Sequence, residues 1–185
     1  MKILAGEFKG RNFYMPAGIR PTQGLLRGAI FDLLGQDMEG LTFLELYAGS
    51  GAIGLEAVSR GAKEATLVEK DLKNAHVILE NIQLFGLEGT GRVRLIHADA
   101  LASVKNLGAK GQKFDIVFFD PPFGRKLAKK TLKVIYDNDI LHDQSLVIAQ
   151  SDTDERLEIP SGLTVIVQRR YGASYLTILQ KVTNK

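Results

Sequence analysis

The sequence predicts an α/β fold: a mostly parallel, seven-stranded sheet with helices on both faces, an antiparallel C-terminal hairpin and a small basic N-terminal extension. Three observations carry this reading. Short apolar runs alternate with segments of helical period, as when strands and helices take turns along a chain. The runs are rich in Val, Ile, Leu and Phe and are bounded by Gly, Asp or Pro, the composition of buried strands. The length of 185 residues, with 45% hydrophobic and 24% charged, suits one globular domain, and no repeat or Pro-, Gly- or Ser-rich linker divides it.

The elements follow in order. Residues 1–20 fit the alternation poorly; Lys9-Gly-Arg-Asn-Phe-Tyr-Met-Pro16 reads either as a small strand or hairpin laid beside the domain or as an arm for a partner. Leu26, Ala29, Ile30 and Leu33 form a helical stripe that stops at Gly35. Thr42–Leu46 is the first strand, and Ile53, Leu55 and Val58 begin a helix that runs to Gly61. Ala65–Val68 is the second strand, followed by a helix whose apolar face is Leu72, Ala75, Leu79 and Ile82, with Gly86 as its stop. Val93–Ile96 and Asp115–Phe119 are the third and fourth strands. Leu127, Thr131, Val134 and Ile135 then recur at helical spacing as a core face, while Lys126, Lys129, Lys130 and Lys133 share another face. Ser145–Ala149, Leu163–Val167 and Tyr175–Leu179 complete the sheet. The last two, joined through Gln168–Ser174, read as an antiparallel hairpin, so the sheet should be parallel except for its last strand.

Composition narrows the function. The absence of cysteine removes disulfides, thiolate metal sites and cysteine nucleophiles. His76, His97 and His142 are scattered, so no metal site is expected. No apolar run reaches the roughly 18 residues that cross a bilayer. The first ten residues turn polar too soon for a signal peptide, which makes the cytoplasm the expected compartment. Net charge is only +3, but it is clustered: Arg11, Arg20 and Arg27 lie near the start, and Arg125, Lys126, Lys129, Lys130 and Lys133 form a group without an acid. Clusters of this kind suit a polyanionic partner.

Between the first strand and the following helix stands Glu45-Leu-Tyr-Ala-Gly49-Ser-Gly51-Ala-Ile-Gly54. The glycines match G-x-G-x-x-G in its strand–loop–helix setting, and Glu69 stands where a ribose-binding acid belongs. A nicotinamide dehydrogenase and an S-adenosylmethionine enzyme satisfy both features equally. Glu45 and Asp99 separate them, because carboxylates on that strand edge would repel a pyrophosphate and suit a cationic, donor-rich ligand. No Walker-type lysine follows the glycines, which excludes a nucleotidase of that class.

The fourth strand ends in Asp120-Pro-Pro-Phe123. Pro121 and Pro122 lack N–H groups and lock the backbone, so nearby carbonyls are free to accept. Asp120 adds a carboxylate acceptor, and Phe123 adds a flat stacking face. Together they suit a planar ring bearing an exocyclic amine. Two acceptors that hold the amine hydrogens would localise its lone pair toward an electrophilic methyl, and orientation supplies the acceleration.

These motifs resemble the class I Rossmann-like methyltransferases that modify exocyclic amines, and more closely the bacterial 16S ribosomal RNA guanine-N2 methyltransferase family. The resemblance runs nearly end to end: Ala5-Gly-Glu-Phe-Lys-Gly-Arg11, Arg20-Pro-Thr22, Glu45 to Gly51, Val68-Glu-Lys-Asp71, Asp120-Pro-Pro-Phe123 and Arg170-Tyr-Gly172, in order. It implies S-adenosylmethionine contacts at Glu45, Tyr47, Ala48, Gly49, Ser50, Gly51, Glu69, Lys70, Asp99 and Ala100. It implies target-base contacts at Asp120, Pro121, Pro122 and Phe123. The basic clusters are expected to hold ribosomal RNA, free or in a small-subunit assembly particle, and a monomer without metal or membrane attachment is expected. One stretch departs from the family pattern: Gln23-Gly-Leu-Leu-Arg-Gly28 replaces charged residues, and Gly28 costs about 1 kcal/mol within a helix. Rival readings are a DNA adenine-N6 or protein-amide methyltransferase and a non-catalytic RNA-binding module. A nicotinamide dehydrogenase would have no use for Glu45 or Asp-Pro-Pro-Phe.

Overall fold

The computed structural model describes residues 1–16 and 23–182, with the backbone alone for 23–25. Arg20, expected among the RNA contacts, lies outside the described residues. The chain forms two compact units, Met1–His97 and Ala98–Lys185.

The first unit contains α1 (Gln23–Leu34), β1 (Thr42–Leu46), α2 (Ala52–Ser59), β2 (Glu64–Glu69), α3 (Leu72–Leu84) and β3 (Val93–His97). Its strands lie in the order β3-β2-β1, all parallel, with Leu46 opposite Val68 and Val68 opposite Ile96. β2 is central and buried except at its first residue. β3 is paired on one side only and is half-buried, not the buried strand its apolar residues suggested. Every residue of α2 is buried. Its polar residues therefore need partners, and the N-terminal segment supplies them. Glu56 accepts the amides of Leu4 and Ala5 at 2.9 and 3.0 Å and pairs with Arg60 at 2.8 Å and Arg27 at 3.6 Å. Lys2 and Asn12 form an antiparallel bridge, and Ile3, Phe8 and Phe13 are buried. Gly6 has φ +80, and a Cβ there would lie 1.7 Å from the Ser59 carbonyl oxygen, so only glycine permits this approach. Residues 1–13 thus form a small hairpin docked on α2.

α3 is started by Asp71, whose carboxylate accepts the amides of Lys73 and Asn74. Its buried face is Ala75, Ile78, Asn81 and Ile82. Leu72 and Leu79, expected in the core, are 70% and 52% exposed. The expected stripe included one correct diagonal and chose the wrong neighbour, because Ile78 and Leu79 are both apolar and only packing against the sheet decides between them.

The second unit contains α4 (Ala100–Ala109), β4 (Phe114–Phe119), α5 (Ala128–Asp137), β5 (Leu141–Asp152), β6 (Leu163–Tyr171) and β7 (Ser174–Lys181). Its strands run β4-β5-β7-β6, with β4 and β5 parallel and β7 antiparallel to both of its neighbours. The expected hairpin is present, turning at Gly172-Ala173, and β7 inserts between β5 and β6. β6 becomes an edge and is mostly exposed, including Val165 and Ile166, against the expectation of a buried run. In α5 the buried face is Ala128, Thr131, Leu132 and Ile135; Leu127 is the N-cap and Val134 is half-buried. The described strands number seven, mostly parallel with antiparallel C-terminal strands.

Candidate active site

In the first unit, β1 delivers the glycine loop to the N-terminus of α2. Tyr47, Gly49 and Gly51 have φ of 59, 58 and 73, so left-handed residues recur at every second position. Tyr47 is not glycine, and a left-handed conformation there carries strain of the kind found at ligand sites. Gly51 is the N-cap of α2 and offers no side chain. The missing acceptor comes from β1: Glu45, buried, accepts the Gly54 amide at 2.8 Å. A carboxylate there also opposes the positive end of the helix dipole. Glu45 therefore holds the loop and helix together. Gly54 makes this possible, since a Cβ there would meet Leu67 Cδ2 at 2.2 Å and Glu45 Oε2 at 3.1 Å.

Glu69, at the end of β2, spans the loop. Its Oε2 accepts the Gly49 amide at 2.7 Å and its Oε1 the Asp71 amide at 2.7 Å. A carboxylate has about four acceptor positions, so each oxygen keeps capacity for a ligand hydroxyl. Ser50 is buried, and its hydroxyl has no hydrogen-bond partner among the described residues. Asn81 was not anticipated. Its carboxamide accepts the Tyr14 amide at 2.7 Å and donates to the carbonyls of Tyr14 at 3.0 Å and Ser50 at 3.1 Å. It ties the glycine loop to the N-terminal segment. A buried Asn on an otherwise apolar helix face was the available signal. The Ala48 amide donates to the Val68 carbonyl, and the Lys70 carbonyl contacts His97 Nε2.

In the second unit, Asp99 caps α4 by accepting the amides of Leu101 and Ala102, and Ala100 is the buried first residue of that helix. β4 ends at Phe119 and leads into Asp120, Pro121, Pro122 and Phe123, which line a pocket with Gln150, Ser151, Asp152 and Glu155. Phe123 is 57% exposed, a free aromatic face, whereas Phe118 and Phe119 are core. Asp152 accepts the Gly124 amide at 2.7 Å, and Glu155 accepts the Lys129 amide at 2.9 Å. Asp120 has no hydrogen bond from a described residue. Burial, and then the neighbouring Asp152 carboxylate, push its carboxyl up to about 7. The polar wall from the end of β5 was missed in the sequence, although Val147-Ile-Ala-Gln150-Ser-Asp152 shows the same turn from apolar to polar as Phe118-Phe-Asp120.

The structure divides the expected RNA contacts. Arg27 is corrected: it is 1% exposed, faces Glu56, stacks over the Phe13 ring and donates to the Lys2 carbonyl, so it cannot reach a phosphate. Arg11 is exposed but lies over the Phe8 and Phe85 rings and donates to the Leu84 carbonyl at 2.7 Å. Arg125, Lys126, Lys129, Lys130 and Lys133 are all exposed. Lys126 is not on the helix as expected; it precedes the N-cap with φ 50. Lys129 pairs with Glu158, and Lys133 with Asp137 at 2.7 Å.

The family described as Conserved hypothetical protein 95 matches residues 1–180. Ribosomal RNA small subunit methyltransferase D of Escherichia coli strain K12 is 34% identical over 159 residues, which cover 85% of this chain and 77% of that protein. The solved Escherichia coli protein yhhF superposes with a TM-score of 0.86 at 29% identity, covering 100% of this chain and 99% of its own. A solved hypothetical protein of Thermus thermophilus does so with a TM-score of 0.81 at 32% identity, covering 96% and 98%. Likeness of this extent over most of both chains makes the protein a member of the family of ribosomal RNA small subunit methyltransferase D.

Proposed function

We propose that the protein methylates the exocyclic N2 amine of a guanine in small-subunit ribosomal RNA, with S-adenosylmethionine as methyl donor. Family membership supports the methyltransferase and its RNA class. The observation that carries the chemistry is the acceptor pocket of Asp120, Pro121, Pro122 and Phe123 at the end of β4.

The first unit fits the cofactor. Glu69 retains acceptor capacity for ribose hydroxyls, the loop from Tyr47 to Gly51 brings backbone forward through left-handed residues, and the buried Ser50 hydroxyl awaits a partner. Glu45, Tyr47, Ala48, Gly49, Ser50, Gly51, Glu69 and Lys70 are the residues of this unit proposed to hold or frame it. The bound cofactor supplies an electrophilic methyl group on a sulfonium. Asp120 accepts one hydrogen of the amine, and a carbonyl of the diproline segment accepts the other. Holding both hydrogens turns the nitrogen lone pair out of conjugation with the ring. With its carboxyl near neutrality, Asp120 also takes the proton that the nitrogen releases on methylation. Phe123 stacks on the base once it has left its own stack. Arg125, Lys126, Lys129, Lys130 and Lys133 are proposed to hold RNA phosphates, with Arg11 as a secondary contact. The proposal extends to a cytoplasmic monomer acting on the RNA free or in an assembly particle.

Incubation with labelled S-adenosylmethionine and small-subunit ribosomal RNA, followed by mass mapping, should locate N2-methylguanosine. Asp120→Ala should lower transfer at least ~100-fold, the scale of a lost acid–base group, with cofactor affinity within a few-fold. Methylation of another base, or near wild-type turnover of the variant, would overturn the assignment.

A further inference from the structure

β4 and β5 are in register at Phe119 and Ala149, so Asp120, just past the end of β4, follows alongside Gln150 among the last residues of β5. Gln150 lines the Asp120 pocket and is 7% exposed. Its Oε1 is buried and has no hydrogen-bond partner among the described residues. Buried amide oxygens rarely go unmet, because burial removes water as the alternative partner. The two carboxylates on this wall each accept a backbone amide, Asp152 that of Gly124 and Glu155 that of Lys129, whereas Gln150 Oε1 accepts none from the described residues. The pocket thus presents Asp120 and Gln150 Oε1 side by side as acceptors the protein does not use.

Two adjacent acceptors call for a ligand edge with adjacent donors. Among the RNA bases, guanine places a ring N1–H beside its exocyclic N2 amine. Adenine and cytosine place a bare ring nitrogen beside theirs, which would set lone pair against lone pair, and uracil has no amine. We propose that Gln150 Oε1 accepts the guanine N1–H while Asp120 holds the N2 amine, so that Gln150 selects guanine. This inference rests on the methyltransferase reading above.

A double-mutant cycle tests it. Single-turnover methyl transfer is measured on an RNA fragment carrying either the mapped guanosine or 2-aminopurine riboside, which keeps the N2 amine and lacks N1–H. Wild type should slow about tenfold or more on 2-aminopurine, the scale of one lost hydrogen bond in a buried site. Gln150→Met should slow by a similar factor on guanosine and lose little more on 2-aminopurine. Equal 2-aminopurine losses in both proteins, or full guanosine activity in the variant, would overturn the role of Gln150. Thermal melting and S-adenosylmethionine affinity confirm that the variant folds, and Gln150→Leu replaces it if it does not. Wild type inactive on every guanosine RNA would instead sink the underlying function.

Discussion

At Asp120 a buried carboxyl sits near a second carboxyl, Asp152, and burial first, then that neighbour, lift it from 3.8 to about 7. In the unfolded chain it ionises near the lower value. As pH rises through that window the unfolded chain releases a proton that the folded one keeps, so stability falls, and the full cost is present above about 7. Asp120→Asn should therefore melt above wild type at pH ~8, with the gap closing toward pH ~4, while losing methyl transfer. Equal melting at both pH values would show that the carboxyl is not strained by its surroundings. Wild-type transfer should rise as pH passes about 7, because only the ionised carboxylate can take the proton that the amine releases on methylation. Glu69 carries a different load. Glu69→Ala removes the acceptor for the Gly49 and Asp71 amides together with the ligand's hydroxyls. S-Adenosylmethionine affinity should fall more than about tenfold by calorimetry, since hydrogen bonds to a charged group contribute roughly 1.5–3 kcal/mol. Unchanged affinity would mean that the ribose lies elsewhere. Neither role was fully visible in the chain: the acids were legible from their places after strands, but the partners that set their behaviour come from other segments.

Elements differ in how far their own residues specify them. α3 was readable as a helix from its period and from Gly86 beyond its end, where φ is 70; its Asp71 cap appears only in the structure. Which side faces the sheet was not. Ile78→Ala should cost about 2–5 kcal/mol, as for a fully buried aliphatic side chain. Leu79→Ala, one residue on, should cost within about 0.5 kcal/mol. Denaturant unfolding of the two variants measures this, and equal losses would contradict the observed face. α2 shows the reverse case. It has no amphipathic pattern, and its position depends on tertiary partners: Glu45 at its start, Glu56 and Ser59 facing the N-terminal hairpin. The hairpin itself was ambiguous between a docked piece and a free arm, because Gly6 and Ser59 meet only in the fold.

Across the molecule, the two basic clusters expected from the sequence have different fates. Arg27 and Arg11 are engaged with Glu56, backbone carbonyls and aromatic rings, whereas Arg125, Lys126 and Lys130 are exposed and have no ion pair among the described residues. Arg125→Glu with Lys130→Glu should weaken RNA binding and flatten its salt dependence, by about 0.7 in log–log slope for each lost contact with single-stranded RNA. Cofactor affinity should stay the same. A wild-type affinity and slope would assign these charges to solvent. The sequence by itself determined the fold class, the order of the strands, the helices α1, α2, α3 and α5, the glycine loop and the Asp-Pro-Pro-Phe edge, because period, punctuation and motif spacing are local properties of the chain; α4 (Ala100–Ala109) was not read from it. Tertiary structure alone decided that β7 inserts between β5 and β6, that β3 and β6 are edge strands, half-buried and mostly exposed in turn, that Arg27 is buried and that Gln150 lines the Asp120 pocket. These depend on which distant segments meet, and burial, desolvation and unmet hydrogen bonds arise only at such meetings.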